Sequence, residues 1–213
     1  MPHEFMTQQT ARSHEAAEPA QRGEEILTLA RQAFVEKGFD GASMQDLARA
    51  AGMSAGNFYR YFPSKAAIVE ALIERDLLEV EEHFQAIAAS PDPLAALKAG
   101  LRERLTEKCE GDDTLWAEIA ATAARKPEVA AILARMEQGI TRRVSHVVGL
   151  ASGMPAAEAE RVYATHARLL FIVIHGVMCS RLPDTAQEGE LIDLVMRTIE
   201  HVIDDALASH KDL

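Results

Sequence analysis

Six residues punctuate the stretch from 38 to 65: Gly38, Ser43, Gly52, Ser54, Pro63 and Ser64. Between them lie segments too short for anything larger than small helices, and each break has a chemical reason. Glycine takes the left-handed conformation that closes a helix, serine offers oxygen to the free N–H groups that open one, and proline stops one. Ser43-Met44-Gln45-Asp46 reads as a capping box with Asp46 in place of the usual Glu or Gln. Met44, Leu47, Ala48 and Ala51 then supply one apolar face, closed by Gly52. Ser54 caps a further short helix that turns Phe58 and Phe62 inward before Pro63 breaks it. Upstream, Ile26, Leu29, Ala30, Ala33 and Phe34 recur at helical spacing up to a C-cap at Gly38. The result is a three-helix unit beginning near Gln21. Its second and third helices join through Ala50-Ala51-Gly52-Met53-Ser54, small enough for the corner of a helix-turn-helix.

The third of these helices has few long aliphatic side chains facing out. Its outward positions are Ala55, Gly56, Asn57, Tyr59, Arg60 and Tyr61. Small residues at its start let the backbone approach a DNA groove, and Asn57, Arg60 and the tyrosine hydroxyls can bond to phosphates or base edges. Lys65 opens the next helix, where the helix dipole already favours an anion. Its ammonium and the free N–H groups there read as a phosphate clamp.

In order, Ala33-Phe34, Lys37-Gly38-Phe39, Ser43, Ala48, Ala51-Gly52, Ser54-x-Gly56, Phe58-Tyr59-x-Tyr61-Phe62 and Ser64-Lys65 resemble the DNA-binding domain of the TetR family of bacterial repressors. The resemblance covers residues 26–73, about a quarter of the chain. Met44 and Tyr61 depart mildly from the family's usual residues. The resemblance implies that the third helix enters the major groove, with Ser43, Ser54, Ala55, Gly56, Asn57, Tyr59, Arg60, Tyr61 and Lys65 facing DNA. It also implies a C-terminal half that pairs two subunits and holds a small-molecule pocket, whose occupation changes the spacing of the DNA-reading heads. A two-fold dimer calls for a pseudo-palindromic operator with half-sites about 34–36 Å apart.

Beyond Lys65 the pattern stays helical. Ser64 caps a long helix, Pro93, Pro127 and Pro155 each open another, and Asp112 or Asp113 caps the one between Pro93 and Pro127. Helices are expected to end near Leu150 and Leu182, with a loop bracketed by Pro183 and Gly189 before a last helix over 190–208. No sustained alternation marks a strand, and the β-branched run Ile172-Val173-Ile174 sits inside a helical pattern. The reading is all-α, about nine helices: a mobile tail over 1–20, a helix-turn-helix domain over 21–66, and a helical ligand-binding and dimerisation domain over 67–213. Met1–Phe5 reads as an addition ahead of a native start at Met6.

The last helix carries apolar residues on two faces, and the helix before it places Gly176 where another backbone can come close. A helix apolar on two sides is buried on two sides, either within one body or between two. The dimer reading uses Ile172, Gly176, Cys179, Leu191, Val195, Ile199 and Val202. Phe84, Trp116, Met136, Tyr163, His166, Phe171 and His175 are bulky or polar-tipped residues on the helices that would surround a pocket, suiting an apolar or aromatic effector with one or two polar contacts. Each such residue more often belongs to a plain core. His166 and His175 are nine apart, not on one helical face as joint metal ligands, and no metal or cofactor site is expected.

The net charge of −11 argues at first against a nucleic-acid partner. The average hides a division. Residues 43–65 hold Arg49, Arg60 and Lys65 against Asp46 alone, a balance of +2, whereas residues 66–213 hold 15 basic and 25 acidic residues, a balance of −10. Acidity in the distal half leaves one face suited to DNA. Cys109 and Cys179 form no CxxC pair, no run reaches the ~20 apolar residues of a membrane span, and no signal peptide opens the chain, so a reducing cytoplasm is expected. An all-helical enzyme, or an interaction protein with a vestigial helix-turn-helix, is the competing reading. No GxSxG, HExxH, P-loop or GxGxxG supports the enzyme.

Overall fold

Apolar residues at helical spacing, interrupted only by Gly, Pro and capping residues, produce a chain in which every described element is an α-helix. The structure, a computed structural model, describes the backbone of residues 4–106, 112–180 and 186–211, and the side chains of 22–106, 114–180 and 189–209. Among these residues the helices are α1 (Glu4–Gly41), α2 (Met44–Ala50), α3 (Ala55–Tyr61), α4 (Lys65–Ala88), α5 (Pro93–Thr106), α6 (Asp112–Ala123), α7 (Pro127–Ser152), α8 (Ala156–Met178) and α9 (Ala186–Lys211). The all-α expectation holds, and Ile172-Val173-Ile174 is helical within α8. The tail expected over 1–20, the Asp112 or Asp113 cap, Cys109 and Pro183 involve side chains outside the described set.

The chain divides into two compact units, Met1–Leu72 and Ile73–Leu213, and α4 contributes residues to both. In the first unit, Ile26 and Phe34 of α1, Leu47 of α2, Phe58 of α3 and Ile68 of α4 are fully buried. Phe34 stacks on Phe39 with centroids 5.5 Å apart, and Phe58 tilts against Phe62 at 6.0 Å. Gly38 (φ 73°, ψ 164°) interrupts α1, so the turn that follows it leaves in a new direction.

In the second unit, α7 runs against α8 so closely that a Cβ built on Gly149 would lie 2.5 Å from the Ala159 Cβ. One core cluster joins Leu97 of α5, Val144 and Val147 of α7, Leu170 of α8, and Val195, Met196, Ile199 and Ile203 of α9. A smaller one gathers Val148, Met154, Ala159 and Ala206 around Tyr163, whose hydroxyl donates to Ser152 Oγ at 2.9 Å.

Several helix ends differ from expectation, and the first is that α1 begins at Glu4 and not near Gln21. α7 continues to Ser152 and closes on Gly153 in the left-handed conformation (φ 70°), because that glycine, not Leu150, can take the reversal. α8 stops at Met178 instead of running to Leu182. α9 begins at Ala186, so Gly189 lies in its first turn and not in a loop. A lone glycine weakens a helix without ending it.

Candidate functional site

The turn between α2 and α3 is built from local chemistry. At the start of α2, Ser43 Oγ accepts from the Asp46 N–H (3.1 Å) and donates to its carboxylate (2.5 Å), while the Ser43 N–H donates to the same carboxylate (3.1 Å). The expected capping box is complete. The Ser43 hydroxyl, then its backbone N–H, then Lys37 (3.3 Å) hold the Asp46 carboxyl down at about 2. At the other end of α2 the Met53 N–H reaches the Ala48 carbonyl (2.9 Å) and the Gly52 N–H the Arg49 carbonyl (3.0 Å). This is a Schellman closure with Gly52 at φ 65°. Arg22 of α1 donates to the Ala51 carbonyl at 3.1 Å and so braces the corner from behind. Ser54 Oγ then accepts from the Asn57 N–H at 3.3 Å and opens α3.

On α3, Phe58 and the following Phe62 point inward, leaving Gly56, Asn57, Tyr59, Arg60 and Tyr61 exposed and Ala55 half-buried. Among the described residues, none of the polar tips of Asn57, Tyr59, Arg60 and Tyr61 is engaged by a neighbour. A seven-residue helix thus presents amide, phenol and guanidinium groups together, with a glycine at the approach end. Those are the donors and acceptors that phosphates and base edges require.

Lys65 behaves otherwise. Its ammonium donates to the carbonyls of Phe39 (2.6 Å) and Asp40 (3.3 Å) and lies 4.8 Å from the centre of the Phe39 ring. The end of a helix exposes carbonyls, and a nearby cation is drawn to them. Arg49 shares Asp46 (3.4 Å) yet stays 78% exposed, so Arg49 and Arg60 are both outward-facing cations of the 43–65 segment.

The seven expected pocket residues separate. Trp116 of α6 meets His175 of α8 edge-on at 6.4 Å, and Phe171 stacks on the same imidazole at 5.4 Å. The Trp116 indole N–H is buried with no hydrogen-bond partner. Burial pushes the His175 pKa below the usual value against the opposing pull of Glu137, which favours the neutral ring. Met136 is buried. Tyr163 belongs to the core through Ser152, and His166 Nε2 contacts Asp205 of α9 at 3.1 Å. Phe84 lines a separate open cavity of about 460 Å³ among α4, α7 and α8, together with Glu81, Arg142, Arg143, His146 and Glu160. Arg143 is bonded there to Glu81 and to the Gly139 carbonyl (2.8 Å), and Arg142 to Glu160 (3.4 Å). These ion pairs escaped the sequence reading. Arg143 sits beside Val144 and one turn before Val147, at the edge of a buried stripe, and that register was the available signal.

The expected pairing residues also divide. Ile172 is 55% exposed, Gly176 has no heavy atom within 4 Å of a built Cβ, and Leu169 on α8 and Leu194 on α9 are exposed as well. Val195 and Ile199, by contrast, are 8% and 0% exposed and lie in the protomer's own core, so the expectation that they face a partner is corrected. Leu191 and Val202 pack partly against that core, and Cys179 Sγ sits 3.7 Å from the His175 ring nitrogens. Among the described residues no group of three His, Cys, Asp or Glu is placed to hold a metal, and no helix is long and apolar enough to cross a membrane.

Residues 26–72 match the family model of bacterial regulatory proteins of the tetR family. The chain is 30% identical over 169 residues to the HTH-type transcriptional regulator UidR of Escherichia coli K12, covering 77% of this chain and 84% of UidR. It is 35% identical over 96 residues to the regulator EthR of Mycolicibacterium smegmatis, 43% of this chain and 44% of that protein. Among solved structures, Salmonella enterica GusR superimposes with a TM-score of 0.72 at 27% identity over 90% of this chain and 97% of GusR. AibR, solved with isovaleryl coenzyme A and operator DNA, shares the fold with a TM-score of 0.61 at 16% identity over 84% of this chain and 97% of AibR.

Proposed function

The chain belongs to the TetR family of bacterial regulatory proteins, and from that membership we propose that this DNA-binding transcriptional regulator acts as a homodimeric repressor released from a pseudo-palindromic operator by a small molecule. The observation that carries the reading is the outer face of α3, where Asn57, Tyr59, Arg60 and Tyr61 stand exposed around a helix anchored by Phe58. Asn57 and Tyr61 are assigned to base edges, and Tyr59 and Arg60 to the backbone, with Ser43, Ser54, Ala55 and Gly56 forming the approach surface. Its place of action is the cytoplasm, and the relatives it matches are HTH-type transcriptional regulators.

Pairing is assigned to the exposed apolar residues Leu169, Ile172 and Leu194 with Gly176, a surface that water disfavours and a second copy would cover. The effector is assigned to the Trp116–Phe171–His175 cluster. An apolar or aromatic body suits these rings, and one acceptor atom would satisfy the buried indole N–H.

Sequencing genomic fragments retained by the purified protein tests the reading. The expected product is one two-fold motif with half-sites about 34–36 Å apart; fragments without a shared motif would overturn it. A thermal-shift screen tests the effector. Aromatic compounds carrying a hydrogen-bond acceptor should raise Tm, and less so in Trp116→Phe. Stabilisation by strongly charged compounds alone would reject the assignment.

A further inference from the structure

Phe171, His175 and Cys179 recur at every fourth residue towards the end of α8, so their side chains follow one another along one side of the helix. The His175 imidazole is the shared neighbour of three groups. Phe171 stacks on it at 5.4 Å, Trp116 of α6 meets it edge-on at 6.4 Å, and Cys179 Sγ lies 3.7 Å from both of its ring nitrogens. Phe171, His175 and Cys179 are half-buried, and Trp116 is buried. The Trp116 indole N–H is out of water and has no acceptor, which costs free energy until one arrives.

These groups carry complementary chemistry. A thiol is a strong nucleophile only as its thiolate. Cys179 closes the C-terminal end of α8, where the helix dipole gives an anion no support, so the proton must go to a neighbouring base. His175 is that base: it touches the sulfur, and burial holds its pKa below the ordinary value and keeps the ring neutral. The indole N–H offers a fixed donor to an oxygen that gains negative charge. A carbon–carbon double bond conjugated to a carbonyl uses both. It presents an acceptor oxygen and an electrophilic carbon at opposite ends of one planar system.

We propose that Cys179 is a covalent modification site within the effector cluster, which takes aromatic α,β-unsaturated ketones by conjugate addition, with His175 as base and the Trp116 N–H as donor to the carbonyl oxygen. This role rests on the effector reading of the cluster and adds a bond to it. Sγ bonds to the β-carbon as the π pair of the double bond moves to the carbonyl oxygen. The imidazole takes the thiol proton and returns it to the α-carbon. The adduct keeps every atom of both reactants, and no oxidant or reductant enters. Release from the operator then outlasts removal of the free compound.

The test uses the full chain with benzylideneacetone, with benzylacetone (the same ketone without the double bond), and with methyl methanethiosulfonate, a thiol reagent that has no carbonyl. Peptide mass mapping reads the labelling of Cys179 against Cys109, the other cysteine of the chain. The ratio of Cys179 to Cys109 labelling should be higher with benzylideneacetone than with the thiosulfonate. After dialysis, protein treated with benzylideneacetone should no longer retain the duplex recovered by genomic selection, and protein treated with benzylacetone should retain it. His175→Phe, which keeps a ring against Phe171 and removes the base, should slow benzylideneacetone labelling of Cys179 about tenfold or more. Trp116→Phe should slow labelling by benzylideneacetone and leave labelling by the thiosulfonate unchanged. Equal ratios for the two reagents, or an unchanged rate in His175→Phe, would overturn the proposal. The labelling ratio and the retention of duplex are read in the unsubstituted protein, so neither depends on a variant folding. A rise in Tm with benzylacetone and no Cys179 adduct with benzylideneacetone would reject the covalent step and leave the effector reading standing. A Cys179 adduct with full retention of the duplex would overturn the effector reading as well.

Discussion

Ser43 and Asp46 satisfy each other across the first turn of α2: the hydroxyl and N–H of Ser43 both bond to the Asp46 carboxylate, and the Asp46 N–H bonds back to the hydroxyl. The carboxyl is thereby held at about 2, below its ordinary 3.8. A carboxylate with a depressed pKa adds stability that is fully present above its unfolded value and disappears as pH falls through the folded one. Asp46→Asn should therefore lower Tm at neutral pH, and the difference from the parent should shrink between about pH 4 and pH 2. Thermal unfolding across that range checks it. A difference that stays constant down to pH 2 would remove Asp46 ionisation as the cause.

Gly149 is where α7 and α8 meet most tightly, with space for a hydrogen and not for a methyl group. Gly149→Ala should destabilise the protein by about 1–3 kcal/mol, as overpacking does. Ala159→Gly in the same chain should recover part of the loss, because the obstructing atom is the Ala159 Cβ. Denaturant unfolding of the single and double variants reads this directly, and purely additive losses would contradict it.

Ile172 and Ile199 make opposite predictions although both are isoleucines in the last two helices. Ile172 is 55% exposed and Ile199 is fully buried. Ile172→Asp should give folded monomers in sedimentation velocity, as should Leu194→Asp, which is 53% exposed in the parent. Ile199→Asp should unfold the distal unit, since an unpaired charge would enter the core cluster. A dimeric Ile172→Asp protein would place the pairing surface elsewhere.

Arg60 and Asn57 separate positioning from reading. Arg60→Ala should weaken binding on specific and scrambled duplexes alike and lower the salt slope by about 0.9. Asn57→Ala should alter base preference at one operator position by about 1–3 kcal/mol. A competition assay across single-base operator variants distinguishes them, and a uniform loss for Asn57→Ala would reassign it to the backbone.

The capping serines and the Gly52 closure of the first unit were legible because they act over two to five residues of chain. The Ser43–Asp46 box, the Ser54 cap and the inward pair Phe58 and Phe62 follow from helical geometry alone. α9 begins at Ala186, ahead of Gly189, because a lone glycine in the first turn weakens a helix without ending it.

Sequence alone therefore determined the helices, the corner between α2 and α3, and the outward set Asn57, Tyr59, Arg60 and Tyr61, since i to i+4 periodicity and capping are local properties. Tertiary structure decided what local periodicity leaves degenerate. Apolar stripes on α8 and α9 look alike in sequence, but Val195 and Ile199 lie in the core and Ile172 does not, because only packing against α5 and α7 chooses the inner face. Lys65 looked like a free cation at a helix start. The carbonyls that claim its ammonium lie 26 and 25 residues away, and only folding brings them within hydrogen-bond reach.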